Sequence, residues 1–230
     1  MTTSGVNTFS LDLTEIVEEA FERCGSEVRT GYDLRTARRS LNLLFADWAN
    51  RGINLWTVEQ GSIPIVAGTA TYNLPDDTVD LIEHVVRTGA GVVATQSDLS
   101  VVRISISTYA TIPNKLSTGR PVQIYIDRAV ATPTVTLWPV PDATTTYTLV
   151  YWRLRRIYDA SEGVNTMDVP FRFLPPLLAG LAYYLSMKVP GGFERMPVLR
   201  QQYDEAWLAA SDEDRDKASV RFVPREQFIN

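Results

Sequence analysis

Paired carboxyl groups are the first candidates for chemistry, because Asp76 and Asp77 lie side by side in the stretch LPDDTVD. Two carboxyl groups can act as general acid and nucleophile on a glycosidic bond. Three glutamates near the N-terminus, Glu18, Glu19 and Glu22, could serve the same chemistry. A Pro-Asp-Asp run also opens and caps a turn, and glutamates beside an apolar helix stripe are typical of a solvated face, or of one that faces a partner or a channel. We therefore predict no catalytic residue in either group.

Histidine and cysteine chemistry rests on two residues, because His84 is the only histidine and Cys24 the only cysteine. A Ser-His-Asp or Cys-His system would have to use His84, which lies in the apolar run IEHVV, and the sequence has no G-x-S-x-G nucleophile elbow. One histidine and one cysteine cannot supply a usual zinc ligand set. Cys24 falls on an apolar helix stripe, where we expect a buried, inert thiol. We predict no catalytic, cofactor-binding or metal-binding residues, and a chain that is not an enzyme.

Two short basic clusters, ARRSLN at residues 37–42 and RLRR at 153–156, could contact phosphate groups. The clusters have no interleaved aromatic residues, and the chain as a whole is acidic, so solvated or interface charges are the favoured interpretation. The stretch IPNKLSTG at 112–119 lacks the glycine and lysine order of a phosphate-binding loop, which argues against a nucleotide site.

The composition is that of a globular protein, since 45% of the 230 residues are hydrophobic and 21% are charged. The formal net charge of -5 argues against a general nucleic-acid binder, although an acidic wall that repels phosphate would suit a conduit for DNA. The N-terminal residues lack the basic and apolar stretches of a signal peptide. The longest apolar run, at 177–185, is too short to cross a bilayer. We expect a soluble protein made in a reducing compartment, without membrane contact.

Helical periodicity marks both ends of the chain. Residues 11–24, 33–51 and 193–217 place apolar residues three and four positions apart, whereas residues 177–189 are apolar almost all round. Asp12 with Glu15 has the spacing of a capping box, and Gly25 can end the first helix. The second helix has Asp33 as candidate cap and Gly52 as stop.

The middle of the chain has the alternation and turn residues of short strands. We predict a hairpin over 62–75, a strand over 79–87 and a short helix over 104–113. Residues 118–142 read as two strands and a turn, and residues 145–155 alternate with Tyr147, Leu149 and Tyr151 on one face. Short strands at this spacing favour a small antiparallel sandwich or barrel.

The last segment, residues 218–230, differs from both the helical ends and the strand-rich middle of the chain. Pro224 would interrupt a helix, yet the segment is richer in apolar groups than a solvated tail. We predict an arm that becomes ordered by docking on another protein.

The predicted fold class is α+β: an antiparallel helical bundle from both chain ends, an inserted small antiparallel β domain and an extended C-terminal arm. The predicted boundaries are 1–54 and 161–217 for the bundle, 55–160 for the β domain and 218–230 for the arm.

Several stretches in this order resemble a known family. ARRSLNLLFADWANRGINLWTVEQ is followed by GTATYNLPDDTVDLIEHVVR, then by ATIPNKLSTGRP, and then by LWPVPD and a tyrosine-rich strand. The sequence resembles the head-to-tail adaptor proteins of tailed bacteriophages, also called tail accessory factors or tail tubular protein A-like proteins. The resemblance covers roughly residues 10–217.

The resemblance implies a structural virion protein at the head-tail junction, assembled in the host cytoplasm. Such adaptors form a homo-oligomeric ring, usually a dodecamer, that joins the portal protein to the tail nozzle or next tail protein. The ring extends the channel through which DNA passes without sequence-specific binding. The implied portal-docking residues are Val220, Arg221, Phe222, Val223, Pro224 and Phe228. The β domain would face the tail, with contacts at Trp138, Pro139, Tyr147 and Tyr151.

Two other functions remain open from the sequence. The first is a virion-associated cell-wall glycan hydrolase that uses Asp76, Asp77 or the N-terminal glutamates. The second is a carbohydrate-binding module in which Trp138, Tyr147 and Tyr151 face a sugar.

Overall fold

A computed structural model of the chain describes residues 5–6, 8–28, 31–52, 55–161 and 164–214. Within these residues the fold is mixed α+β, which confirms the predicted class at that level. Contacts divide the chain into two compact units. We call Met1–Leu55 with Asp159–Asn230 the helical unit, and Trp56–Tyr158 the β unit.

The described residues form five α-helices and ten strands. The helices are α1 Leu13–Cys24, α2 Gly31–Asn50, α3 Ile106–Thr111, α4 Leu174–Ser186 and α5 Met196–Glu213. The strands are β1 Val58–Ile65, β2 Thr71–Asn73, β3 Thr78–Thr88, β4 Ser97–Ser100, β5 Val102–Ile104, β6 Thr118–Gly119, β7 Gln123–Asp127, β8 Thr134–Trp138, β9 Val140–Pro141 and β10 Tyr147–Arg155.

Helix α1 has the predicted ends. The backbone N–H of Glu15 donates to the Asp12 carboxylate at 2.9 Å, and the Asp12 N–H donates to the Glu15 carboxylate at 3.0 Å. This reciprocal capping satisfies two helix-end donors. Gly25 ends the helix with φ of +79°, a conformation that glycine adopts at no steric cost. The predicted stripe is buried: Leu13, Ile16, Val17, Ala20, Phe21 and Cys24.

Helix α2 begins two residues earlier than the predicted cap. Its first residue is Gly31, so Asp33 lies in the first turn and the prediction that it caps the helix is wrong. A carboxylate in the first turn still interacts favourably with the helix dipole. The helix ends at Asn50, before Gly52 with φ of +73°. The buried face contains Ala37, Ser40, Leu41, Leu44, Phe45 and Trp48.

Helix α4 packs against α1, α2 and α5 and is buried on most sides. A Cβ atom on Gly180 would lie 2.9 Å from both Leu44 Cδ2 and Tyr203 Cε2, so the neighbouring side chains approach its backbone closely. Trp48 donates its indole N–H to the Tyr203 hydroxyl at 3.0 Å. Nowhere in the described residues is there a helix both long enough and apolar enough to span a bilayer.

The β unit contains two four-stranded sheets and one two-stranded sheet. The strand orders are β1-β10-β3-β4, β2-β8-β7-β5 and β6-β9. Antiparallel pairing dominates as predicted, but β5 pairs with β7 and β6 with β9 in parallel. One core cluster joins residues of both larger sheets: Ile65, Leu74, Leu81, Val86, Val101, Ile124, Ile126, Val135, Leu137, Tyr147, Leu149 and Tyr151.

Some of the elements predicted for the β unit are confirmed, and one is wrong. The turn within 118–142 is confirmed, because β7 and β8 pair antiparallel with Gln123 opposite Trp138. The strand over 79–87 and the short helix over 104–113 are confirmed as β3 and α3. The hairpin over 62–75 is wrong, because β1 pairs with β10 while β2 pairs with β8. The chain turns at Gly68 but passes from one sheet to the other.

Candidate interaction surfaces

The exposed side of α1 borders a groove of about 430 Å³, which we call the acidic groove. Glu15 is held in the capping box, and Glu19 forms an ion pair with Arg23 at 2.7 Å. Glu18 and Glu22 form no ion pair with any residue that the structure describes. An apolar floor with a carboxylate rim fits a basic, partly apolar partner. The groove is lined by Phe9, Leu11, Glu15, Glu18, Glu19, Glu22 and Leu178.

The exposed side of α2 has the opposite charge. Arg35 donates to the Gly31 carbonyl at 3.3 Å, and Arg38 donates to the Ser161 carbonyl at 2.8 Å. Arg39 is also exposed, and none of the three arginines pairs with a carboxylate within the described ranges. Two exposed apolar side chains flank these arginines along α2, Tyr32 at 67% and Leu43 at 55%. We call these five residues the arginine face. The interpretation of ARRSLN as surface charges is confirmed for Arg38 and Arg39.

A second groove of about 960 Å³ lies between the end of α1, the first half of α2 and the end of α4. Lys188 borders it and donates to the Ser40 hydroxyl at 2.7 Å. Burial is the main cause that holds the pKa of Lys188 below its ordinary value of 10.5, and the positive charge of the nearby Arg39 lowers it further. Glu22 lines this groove as well as the acidic groove.

Two exposed phenylalanines of the helical unit form a pair. Phe9 is 65% exposed and Phe171 is 69% exposed, and their rings meet edge to face at 6.3 Å between centroids. Grouped, exposed aromatic rings mark contact surfaces more often than solvated ones.

The predicted tail-side residues lie in two different settings. Trp138 and Pro139 are half-buried, and Trp138 donates its indole N–H to the Asn114 carbonyl at 3.1 Å. Tyr147 and Tyr151 are buried in the core of the β unit. The rings of these two tyrosines are therefore unavailable to a partner or a sugar unless the sheet opens. Contact with a tail protein through Trp138 and Pro139 stays a prediction.

Tyr151 occupies a central position in its sheet. It lies opposite Gly61 of β1 on one side and His84 of β3 on the other. Its ring covers Gly61 so closely that a Cβ atom there would collide with it. Burial raises the pKa of the Tyr151 hydroxyl, as expected for a phenol inside a protein core.

An ion network at the end of β10 was missed by the sequence interpretation. Arg153 bonds to the Asp77 carboxylate and donates to Glu59 at 2.8 Å, and Arg155 donates to the same Glu59 at 2.7 Å. Both arginines are buried, so the interpretation of RLRR as solvated or interface charges is wrong for them. The guanidinium of Arg155 also lies over the Tyr158 ring at 4.2 Å. The signal in the sequence was the alternation of YTLVYWRLR, which places both arginines on the inward side.

This network bears on the glycan-hydrolase alternative. The hydrogen bond from Arg153 is the main cause that holds the pKa of Asp77 below its ordinary value of 3.8. A general acid of a glycosidase needs a raised pKa, so that it keeps its proton at neutral pH. Asp76 is exposed beside it. The arrangement favours a structural role for Asp77.

His84 and Cys24 are in settings that suit structural roles. Neither ring nitrogen of His84 has a hydrogen-bond partner among the described residues. Burial lowers the pKa of His84 below 6.5, and the nearby backbone of Val101 only partly offsets this. The Cys24 thiol bonds to the Ala182 carbonyl at 3.1 Å, and burial raises its pKa to about 11. In the described part of the chain, three or more potential metal ligands do not come together.

The predicted portal-docking residues, Val220, Arg221, Phe222, Val223, Pro224 and Phe228, lie outside the described residues. Their docking role stays a prediction.

The described geometry defines a class: an α+β protein that exposes charged and apolar surfaces on its helical unit. The chain belongs to the SU10 adaptor protein family, an adaptor family of phages, whose family model matches residues 11–225. The predicted membership of a phage adaptor family is thus confirmed. No curated protein matches the chain. Membership indicates a structural virion component that contacts other phage head or tail proteins.

Proposed function

We propose that the chain is a head-to-tail adaptor that joins the portal protein to the tail nozzle or next tail protein. Twelve copies form a ring at the head-tail junction of the virion, after synthesis in the host cytoplasm. The ring extends the DNA channel. The observation that carries the proposal is the family match over residues 11–225.

The contact surfaces support an assembly role. A subunit of a ring meets its neighbours through two different faces. The helical unit has an acidic groove and an arginine face, and it exposes the Phe9 and Phe171 rings. The apolar groups among them gain from burial against protein, and the charged groups can pair with opposite charges on a partner.

The parts of the chain receive separate roles. Residues 1–54 and 161–217 form an antiparallel helical bundle that meets the portal and neighbouring subunits. Residues 55–160 form the β domain on the tail side, with Trp138 and Pro139 as its contacts. The arm at residues 218–230 docks on the portal through its apolar side chains and through Arg221.

The proposed channel function is consistent with the charge of the chain. The net charge of -5 disfavours tight binding to phosphates. DNA would therefore pass without being held and without sequence-specific contacts.

The test is assembly with the portal protein of the same virion. We mix the two purified proteins and examine the product by negative-stain electron microscopy, with each protein alone as control. We expect a ring stacked on the portal. A chain that stays monomeric and leaves the portal unchanged would contradict the proposal.

A further inference from the structure

We propose that the arginine face of one copy docks into the acidic groove of a second copy of this chain. The inference deepens the proposed function and rests on it, because it assigns the contact through which neighbouring subunits of the ring meet. The occupant of the groove is α2 of the second copy.

The two surfaces match in apolar groups. The floor of the groove is made by Phe9, Leu11 and Leu178. The arginine face presents Tyr32 and Leu43. A groove of about 430 Å³ has room for the Leu43 side chain, and Tyr32 lies about 16 Å from it along the helix. The Leu43 side chain would thus be buried in the groove, with the arginine charges beside it on α2.

The two surfaces also match in charge. Glu18 and Glu22 on the groove side, and Arg35 and Arg39 on the other, have no ion-pair partner in the described residues of their own chain. In particular, no arginine of α2 comes within ion-pair distance of Glu18 or Glu22 of the same subunit. Complementary charges across an interface steer the two partners and fix their register.

The spacing of the charges agrees with helix-on-helix docking. Glu18 and Glu22 are four residues apart on α1, and Arg35 and Arg39 are four residues apart on α2. Four residues correspond to a rise of about 6 Å along a helix, so both pairs are separated by one turn. When α2 of one copy lies along α1 of the next, two ion pairs can form together.

The contact is heterologous, because the α1 side of one copy meets the α2 side of the next. Within one copy these two surfaces adjoin at the second groove, which Glu22, Tyr32 and Arg39 all line. In each docked pair, one copy keeps a free acidic groove and the other keeps a free arginine face. The contact can therefore repeat from copy to copy and close into a ring.

Charge reversal in two separate chains tests the contact. One chain has Glu18→Lys with Glu22→Lys, and the other has Arg35→Glu with Arg39→Glu. We measure self-association by sedimentation velocity at low ionic strength, where ion pairs are least screened. Each reversed chain alone should associate roughly tenfold more weakly than the wild type or worse, because like charges then face each other.

An equimolar mixture of the two reversed chains should recover association, since each groove then meets a face of opposite charge. A chain with all four substitutions should also associate. A control chain with Arg120→Glu and Arg128→Glu in the β unit has the same net charge as the chain with Arg35→Glu and Arg39→Glu. It should self-associate like the wild type. Failure of the mixture to recover, or an equal loss in the control, overturns the inference.

Disulfide trapping detects the same contact when the association is weak. One chain has Phe9→Cys and a second has Leu43→Cys, while the native Cys24 is buried and does not compete. Mild oxidation should join the two different chains at least several-fold faster than like chains. Equal rates for all pairs overturn the inference. Both experiments use this chain alone, so their failure is separate from a failure to bind the portal protein.

Discussion

The ring of Tyr151 lies across the backbone of Gly61 on the neighbouring strand, so closely that a Cβ atom at residue 61 would collide with it. The two residues are directly opposite each other in the β1-β10 pair. An aromatic ring over a strand glycine covers backbone that would otherwise be exposed, and it fixes the register of the two strands.

Replacement of this glycine should therefore destabilise the β unit. We expect Gly61→Ala to lower the free energy of unfolding by about 1–3 kcal/mol, because the added methyl group forces the Tyr151 ring out of its position. Urea denaturation monitored by tyrosine and tryptophan fluorescence measures the change. Gly119→Ala is the control, since a Cβ atom there would meet Pro139 Cβ at 3.7 Å and Cγ at 3.9 Å, which are ordinary contacts. Equal stability of the two variants would contradict the packing described here.

The ion network at the end of β10 should make stability depend on acid pH. Because Arg153 holds the pKa of Asp77 below 3.8 in the folded chain, the folded state binds fewer protons than the unfolded state there. The contribution is complete above the ordinary pKa and is lost as pH falls through the lower folded value. Asp77→Asn should flatten this part of the stability curve, as measured by melting temperature against pH.

Replacement of Arg153 should lower the stability of the fold more than replacement of one carboxylate of the network. Arg153→Met leaves Asp77 and Glu59 as neighbouring charges without their shared partner, at a cost of about 2 kcal/mol or more at neutral pH. Arg156→Met, on the exposed neighbour, is the control and should change stability by less. Urea denaturation at neutral pH distinguishes the two, and a larger loss for the control would count against the network.

His84 should weaken the fold as the solution becomes mildly acidic. Its folded pKa lies below 6.5, mainly because of burial and also because of the positive charge of Arg103, while Glu83 acts in the opposite direction. The unfolded chain therefore takes up a proton first, and the stability present above pH 6.5 is lost as pH falls through the folded pKa.

His84→Leu removes this proton uptake and also removes two buried nitrogens that have no hydrogen-bond partner among the described residues. We expect its melting temperature to exceed that of the wild type by more at about pH 5 than at about pH 8. Scanning calorimetry at both pH values measures the difference. An identical gain at the two pH values would mean that His84 does not titrate on unfolding in this range.

Deletion of residues 218–230 should separate folding from portal binding. The buried residues of the described chain end at Ala210, so we expect the melting temperature to remain within a few degrees of the full chain. Binding to the portal protein, measured by co-sedimentation, should be lost. A truncated chain that still binds the portal would exclude the arm as its docking segment.

Point substitutions refine this test. The chain with Phe222→Ala and Phe228→Ala should lose most of the binding, because the apolar contacts of the arm are removed. A chain with Gln227→Ala and Asn230→Ala should keep it. Equal binding by these two chains would indicate that the docking does not depend on the phenylalanines.

Local features of the sequence were sufficient to predict several elements. The capping box of Asp12 and Glu15, the left-handed Gly25 and the stripe of α1 involve residues within one or two turns of each other. The turn between β7 and β8 is equally local. Hydrophobic periodicity and turn chemistry act over such distances, which is why they can be read without a structure.

Pairings between distant segments were decided by the tertiary structure. The hairpin predicted over 62–75 failed because β1 buries its face by pairing with β10, a strand far along the chain. The network of Glu59, Asp77 and Arg153 joins three separate segments, and the charges of RLRR could be placed inside only once those partners were known.

The sequence by itself determined the α+β class, the position of most helices and strands, and the family of the chain. The tertiary structure decided which charges are buried, which strands pair, and which charged side chains stay exposed. The physical reason is that helix periods and turns depend on neighbouring residues, whereas burial and ion pairing depend on groups that only the folded chain brings together.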